Sequence, residues 1–381
     1  MQLRVETADL KDAIAWAKEA LAQTPREQGK LKFEAKGNEL KVTAVGRDRS
    51  ASCSVEARVE EAGVASIDAE LAVKGIHALP SEFCSIETEG NAIKILAGGF
   101  KLQLAEAQGE DASLPSLPKT QGIISPAELV TAVKKSAFAV AKSTRETDAV
   151  FSRVKMEFKK SEIVFVGCDR YQLARCVTSW KPLGECRASV LAEASDLKSI
   201  ANLFKSLPDG EDVRIGFDPE NPAVMSFEGA GKMQTVQLLD ASDFPNIEQL
   251  FKDEYDVNVI FDKDEFTSVF RRVASVTEGG GAVHLDISPA KCVISNVENR
   301  QEGEKFNARA EETINATLIG RAVELDFSPK LSEALSFLPA SHSCIRMRTN
   351  ENLNLVEFDG QATRDSQPDL SYRYMVTPIR V

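Results

Sequence analysis

The feature that most constrains this chain is a threefold internal repeat, because a repeated unit must fold the same way each time it occurs. Three segments open with a strand-like stretch that runs into an amphipathic helix: Met1 to Leu10, Ile123 to Leu129, and Val259 to Phe266. Apolar side chains then recur at helical spacing. They are Leu10, Ile14, Ala17 and Leu21 in the first; Leu129, Val133, Ser136/Ala137 and Val140 in the second; Phe266, Phe270, Val273 and Val276 in the third. Each segment later reaches a second helix that ends in Leu-Pro, at Leu79-Pro80, Leu207-Pro208 and Leu338-Pro339. Proline disfavours helix at the residue before it, so all three should stop there.

Alternating runs follow each stop, Cys84 to Thr88, Val213 to Phe217 and Cys344 to Arg348, and period two reads as strand. Further short runs such as Lys41 to Val45 and Lys155 to Phe158 lie between the two helices. The expected unit is therefore β-α-βββ twice over, an α+β architecture of two helices and about eight antiparallel strands. Domain limits follow at 1–122, 123–255 and 256–381, with Ser113 to Pro118 as a first linker.

Several function classes are disfavoured by composition. Seven cysteines (Cys53, Cys84, Cys168, Cys176, Cys186, Cys292 and Cys344) are odd in number, scattered and without a Cys-x-x-Cys pair, which fits reduced buried thiols. His342 and Cys344 lack a second ligand pair, so no metal and no cofactor are expected. The Gly229-Ala-Gly-Lys232 run fails the spacing of a phosphate loop and Met233 follows it; it reads as a hairpin turn. Gly279 to Gly281 reads as a helix stop. Cys168-Asp169 has no His near it in sequence, and with three His in all no catalytic residue is expected. No apolar run is long enough to span a membrane and the N-terminus has no signal-peptide core, so a cytoplasmic protein is expected.

A formal charge of −12 by itself speaks against a nucleic-acid ligand. Its distribution is different: the six expected helices taken together are slightly cationic, and the excess acid lies elsewhere. Lys11 and Lys18, Lys135 and Lys142, and Lys198 and Lys205 are spaced to share a helix face. Lys74, Arg271, Arg272 and Lys330 mark the other three helices.

With the repeats in hand, three stretches resemble the bacterial DNA sliding clamps, the β subunit of DNA polymerase III. They are Gly167 to Cys176, with its Cys-Asp-Arg-Tyr-Gln-Leu-Ala core; Phe244 to Leu250; and the tail Tyr374 to Val381. The Asp-Arg-Tyr form and Ser179-Trp180 are most similar to actinobacterial members. The resemblance implies three DNA-clamp domains per chain and two chains closed head to tail into a ring around duplex DNA. It implies helices lining the hole, and DNA polymerase and clamp-loader subunits bound through short linear motifs.

Carried over residue by residue, the resemblance assigns a partner-peptide pocket to Phe151, Cys168, Arg170, Tyr171, Gln172, Leu173, Pro245 and Leu250, with Met375, Val376, Thr377, Pro378, Ile379 and Arg380 from the tail. Against the family pattern, Gln172 stands where Arg is usual, Cys168 where Thr is usual and Thr377 where Met is frequent. The helix cations above, with Arg26 from the first loop, would face DNA. The homodimer interface would take Phe100 and Leu102 from the first domain and Ala274, Ser275, Glu311 and Glu312 from the third; Ala274 and Ser275 are smaller than the usual Ile or Leu. The alternative reading is a phage-borne or accessory protein that keeps the clamp fold without being the principal replication clamp.

Overall fold

The structure is a computed structural model that describes residues 1–25, 29–107, 114–142, 149–252, 254–277, 281–297 and 308–379. The first repeat runs β1 (Gln2–Glu6), α1 (Thr7–Lys18), β2 (Lys30–Lys36), β3 (Glu39–Val45), β4 (Arg49–Glu61), β5 (Gly63–Asp68), α2 (Ala69–His77), β6 (Phe83–Glu89), β7 (Ala92–Ala97) and β8 (Phe100–Ala105). The second runs β9 (Thr120–Ile124), α3 (Pro126–Ala137), β10 (Arg153–Lys159), β11 (Glu162–Cys168), β12 (Gln172–Ser179), a short β13 (Lys181–Pro182), β14 (Ala188–Glu193), α4 (Ala194–Phe204), β15 (Val213–Gly216), β16 (Val224–Gly229) and β17 (Lys232–Asp240). The third runs β18 (Val257–Asp262), α5 (Lys263–Ser275), β19 (Ala282–Ser288), β20 (Lys291–Val297), β21 (Glu311–Asn315), β22 (Thr317–Ile319), β23 (Val323–Phe327), α6 (Leu331–Ser336), β24 (Cys344–Thr349), β25 (Val356–Gln361) and β26 (Pro368–Val376). The strand–helix pattern expected of each repeat is present three times.

The helix boundaries have local causes. The α2 helix is capped by Asp68, whose Oδ1 accepts from Leu71 N at 2.8 Å, and α5 by Asp262, which accepts from Glu265 N at 2.9 Å. At the other end the three Leu-Pro stops share one device. Leu79 N donates to Ile76 O (3.1 Å), Leu207 N to Phe204 O (3.2 Å) and Leu338 N to Leu335 O (3.2 Å), so each helix tightens into a 3₁₀ turn and then meets the proline. The apolar faces bury as their spacing requires: Leu10, Ile14 and Ala17 in α1, Leu129, Val133 and Ser136 in α3, Phe266, Phe270 and Val273 in α5.

One helix is shorter than its sequence pattern. A face shared by Lys135 and Lys142 requires α3 to continue to residue 142, but it ends at Ala137. Strand β11 crosses its end so closely that a Cβ on Gly167 would lie 2.0 Å from Ser136 O, and Ala141 N is instead bonded to Phe151 O at 2.7 Å. Lys142 therefore lies beyond the helix.

The chain divides into two compact units, Met1–Val130 with Glu157–Ser161 and Ser179–Asp240, and Thr131–Met156 with Glu162–Thr178 and Ala241–Val381. In the first unit a sheet runs through β5, β2, β3, β4, β17, β16, β15 and β9, and the far half of β4 turns to pair with β1, which leads to β6, β7 and β8. Its core holds Trp16 edge-on to Phe204 at 5.0 Å, and Phe158 against Trp180 and Phe217 at 5.1 and 4.5 Å. In the second unit one sheet runs β12, β26, β25, β24, β18 and β22, and a smaller one β21, β20, β19 and β23.

Each unit contains one junction between consecutive repeats, and the two are built alike. In the first, β17 pairs antiparallel with β4, from Lys232 opposite Cys53 to Val236 opposite Arg49. In the second, β26 pairs with β12, from Tyr372 opposite Cys176 to Val376 opposite Gln172. The next residue continues both in the same way: Gln237 N donates to Asp48 O (3.1 Å) and Thr377 N to Tyr171 O (2.8 Å). Corresponding side chains bond across each junction, Arg49 Nη2 to Gln234 Oε1 at 3.0 Å and Tyr374 OH to Gln172 Oε1 at 2.8 Å. Among the described residues, β8 pairs only with β7 and β21 only with β20, so these two strands keep an open edge.

The Gly167 contact is testable. Gly167→Ala should lose about 1–3 kcal/mol by overpacking against the Ser136 carbonyl, while Gly184→Ala, where a Cβ meets nothing within 4 Å, should be near neutral. Urea denaturation of both variants measures the difference.

Candidate functional site

The motif Cys168 to Leu173 folds into the turn between β11 and β12. Asp169 Oδ1 accepts from Tyr171 N at 3.0 Å and Gln172 N at 2.8 Å, an Asx turn that holds Arg170 at a φ of +80°. A left-handed backbone is costly for a side chain as large as arginine, and the two bonds to Asp169 offset that cost. The turn leaves Tyr171 69% exposed and sets the Arg170 guanidinium 5.3 Å from the Phe151 ring. Gln172, in contrast, is held from both ends of its amide: Nε2 donates to Asp169 Oδ2 at 2.9 Å and Oε1 accepts from the buried Tyr374 hydroxyl at 2.8 Å. Burial pushes the Tyr374 phenol upward, so it stays a neutral donor.

Beyond β26 the tail crosses to β23, where Ile379 N donates to Asp326 O at 2.7 Å. The side chain of the same Asp326 meets His284 Nδ1 at 2.8 Å. A cleft of about 170 Å³ opens between Leu325 and Asp326, Leu353, and the tail residues Thr377, Pro378 and Ile379. Leu173 and Met375, opposite one another in the β12–β26 ladder, are buried beneath the tail's exit.

The segment from Phe244 to Tyr255 is strapped to the same sheet by charge. Glu357 and Asp359 on β25 are fully buried. Asp359 takes Arg346 in a two-bond pair at 2.9 and 2.7 Å, and Arg348 bridges Glu357 and Asp359 at 2.9 and 3.1 Å. Arg373 and the Tyr255 hydroxyl also bond Glu357. Over this layer the Phe251 ring stacks on Arg373 at 4.1 Å and Arg175 at 5.8 Å, and Arg175 pairs with Glu248 at 3.5 Å. Burial pushes the Asp359 carboxyl up despite its arginines. Pro245 and Leu250 are exposed along the strap, with Phe244 and Ile247 buried under it.

The pocket residues expected from sequence therefore lie on three adjoining pieces: the Asx turn with Phe151, the strap, and the tail. Arg380 lies outside the described residues. Asp169, which shapes the turn, and Tyr374 lie inside the quoted motifs without having been assigned to the pocket, and the motif reading missed Asp326, Leu353, and Phe251 with its arginines. An Asp three residues before a strand-starting Gln is a local turn signal that could have assigned Asp169.

The expected DNA-facing cations fall into groups. Lys18, Lys74, Lys198, Lys205, Arg271 and Lys330 are exposed, Lys74 beside Glu70 at 3.7 Å. Lys11 Nζ donates to Leu79 O at 3.2 Å, tying α1 to the end of α2. Lys135 lies 5.1 Å over the Tyr372 ring, and it is Lys134 that α3 exposes. Arg272 is turned toward β21, where its Nη2 meets Glu312 Oε1 at 2.7 Å and its Nε meets Oε2 at 3.1 Å. Arg26 lies outside the described residues.

Of the expected interface residues, Phe100 and Leu102 stand on the open-edged β8, with Leu102 against α2, where a Cβ on Gly75 would come within 2.5 Å of it. Ala274 and Ser275 end α5, and Glu311 and Glu312 begin the open-edged β21.

All seven cysteines are free and buried. Desolvation pushes the thiols of Cys53 and Cys176 to about 11 and that of Cys292 to about 12, and raises that of Cys168. Among the described residues no group of His, Cys, Asp or Glu is placed to hold a metal, and no helix is long and apolar enough to cross a membrane.

Three repeats of this topology, joined fourth strand to last strand, form the three-domain fold of the DNA polymerase sliding clamps. Over the whole chain the structure matches the sliding clamp of Bacillus subtilis with a TM-score of 0.86 at 21% identity, covering 99% of it. It matches a Pseudomonas aeruginosa clamp solved bound to griselimycin with a TM-score of 0.83 at 18% identity, the coverage complete for both chains. Residues 123–246 match the family model described as the DNA polymerase III beta subunit, central domain. A beta sliding clamp of Streptomyces coelicolor is 26% identical over the full length of both chains, and one of Micrococcus luteus 27% identical over 84% of this chain and all of the relative. The chain is thus similar over its whole length to bacterial β sliding clamps, and its central third matches the family model of the DNA polymerase III beta subunit's central domain.

Two measurements probe the site. Glu357→Ala strands Arg348, Arg373 and Tyr255 and should cost about 3–5 kcal/mol, as expected when one partner of a buried ion pair is removed; guanidinium denaturation reads it. Since all seven thiols are buried, a disulfide reagent at pH 8 should leave the native chain essentially unlabelled and modify all seven cysteines after unfolding.

Proposed function

We propose that this chain works as a replication clamp. Two copies join head to tail, enclose duplex DNA without reading its sequence, and hold polymerase and clamp-loader subunits through short linear motifs. The observation that carries this reading is the repeated junction. Both joins between consecutive repeats use the fourth strand of one and the last strand of the next, and among the described residues β8, a last strand, and β21, a fourth strand, each keep an edge without a partner. A heterologous contact of this kind between two chains closes if the rotation allows, and a closed ring holds DNA by topology. Weak phosphate attraction then suffices, which the exposed helix cations supply despite a net charge of −12.

The cleft beside the tail supports peptide capture. The supporting features are the cleft that Leu325, Asp326 and Leu353 form with the tail residues Thr377 to Ile379, and the exposed Tyr171 on the turn whose carbonyl bonds Thr377 N. With Gln172 neutral and fully engaged, partner recognition rests on apolar anchors more than on charge at that position. The work asked of the protein is binding and topology, so the chain is read as a non-enzymatic, cytoplasmic factor. The accessory reading draws on the same departures, Gln172, Cys168 and Thr377, together with 27% identity to a protein of Streptomyces muensis named as a beta sliding clamp homolog.

Loading onto nicked circular DNA by a clamp loader separates the two readings, since a principal clamp should be loaded and retained. Replacing Lys18, Lys198, Lys205 and Arg271 with Glu should shorten retention most at low salt, where phosphate attraction is least screened. Deleting residues 377–381 should abolish calorimetric binding of a Gln-Leu-x-Leu-Phe type peptide while the dimer persists. A chain that is never loaded, or a truncated chain that binds the peptide as the parent does, would overturn the corresponding part.

A further inference from the structure

The cleft beside the tail differs in chemistry from a pocket built for a leucine or phenylalanine anchor. Its volume of about 170 Å³ is close to the roughly 150 Å³ of a cavity that admits one benzene-sized group, so it has room for a single side chain. Leu353, Pro378 and Ile379 are half-buried and give it apolar walls. The tail wall is held in place by the bond from Ile379 N to Asp326 O at 2.7 Å. The wall from the turn before β25 is held by Leu353 N, which donates to Asn350 O at 3.0 Å with Leu353 at a φ of +52°.

The charged residues that line the cleft are Glu324 and Asp326, both carboxylates. They stand two apart on β23, so their side chains leave the strand on one face. The two are not equivalent. Asp326 Oδ1 is taken by His284 Nδ1 at 2.8 Å. Glu324 keeps only a long contact of 4.0 Å to the other ring nitrogen, its side chain is 74% exposed, and among the described residues no hydrogen bond engages its carboxylate. Glu324 is therefore the carboxylate free to turn to a ligand.

An opening with apolar walls and an anion at its mouth suits one kind of side chain, a methylene stem that ends in a cation. A leucine would fill the walls and leave the carboxylate unused, and an acidic side chain would meet a like charge. We propose that the partner segments captured here carry a lysine or arginine, whose stem packs against Leu353, Pro378 and Ile379 and whose charge pairs with Glu324. The proposal rests on the peptide-capture reading above and adds the chemistry of the partner. Glu324 is then a specificity-determining residue, favouring basic segments and opposing acidic ones.

Calorimetry on the full chain, with a Gln-Leu-x-Leu-Phe type peptide as the frame, tests the inference. Lysine and, separately, norleucine, which has a straight stem without the charge, replace each residue of the frame and its flanks in turn. At one position lysine is expected to bind about three- to fivefold tighter than norleucine, the size of a solvent-accessible ion pair. That advantage should fall as salt is raised. Glu324→Gln should remove it while leaving the norleucine peptides unchanged. Glu324→Lys should reverse it, so that glutamate at the same position binds tighter than lysine. A parent that binds the frame peptide but gains from lysine at no position, or a Glu324→Gln variant that keeps the whole lysine advantage, overturns the inference and leaves peptide capture standing. A parent that binds none of the peptides overturns both.

Discussion

The structure depends on one interaction, the antiparallel pairing of an edge strand from one repeat with an edge strand from the next. An exposed sheet edge is a row of unsatisfied main-chain donors and acceptors, and this chain covers two such pairs by joining β4 to β17 and β12 to β26. Main-chain pairing is indifferent to side chains, which is why three repeats of diverged sequence can use the same connection. The side chains then supply register and specificity. At the first junction these are the Arg49–Gln234 bond and the short Ser50–Thr235 contact, and at the second the Tyr374–Gln172 bond.

The adjacency of the motif turn and the tail is a by-product of the second junction. Since β12 begins where β26 ends, the turn before β12 and the tail after β26 are brought side by side, and Thr377 N bonds Tyr171 O there. Asp169 does the shaping: it supports Arg170 in a left-handed conformation and at the same time engages the Gln172 amide. A few residues along the same sheet, four arginines, two fully buried carboxylates and Glu248 make an ionic layer under the strap. Removing one partner of a pair this deep strands the others without water, so the layer ties the strap to the sheet.

Much of this was legible in the chain. The helix faces, the Leu-Pro stops and the alternating runs are local patterns, and local patterns carry their own physics: burial at period 3.6 or 2, and a proline that the preceding residue cannot accommodate in a helix. The motif at residues 167–176 marked the turn, but its charge and apolarity said nothing of Tyr374 two hundred residues away. The length of α3 was misjudged because its apolar period continues through Val140, while the element that ends it, β11 passing at Gly167, comes from elsewhere in the chain.

The helix cations show the boundary most plainly. Composition and spacing determined that Lys11, Lys135 and Arg272 lie on amphipathic helices, and from that alone all three belong to a solvated cationic face. Tertiary structure gave each a different occupation: Lys11 on the Leu79 carbonyl, Lys135 over Tyr372, and Arg272 in the grip of Glu312. A long cationic side chain reaches several ångströms from its own backbone, so its partner is set by whichever strand packs beside the helix. That neighbour is fixed by sheet pairing between residues far apart in the chain, which no local pattern encodes. Local patterning carries three copies of a two-helix unit and the Leu-Pro stop of each second helix; the pairing of distant strands sets which edges meet, and so which charges remain available to a ligand.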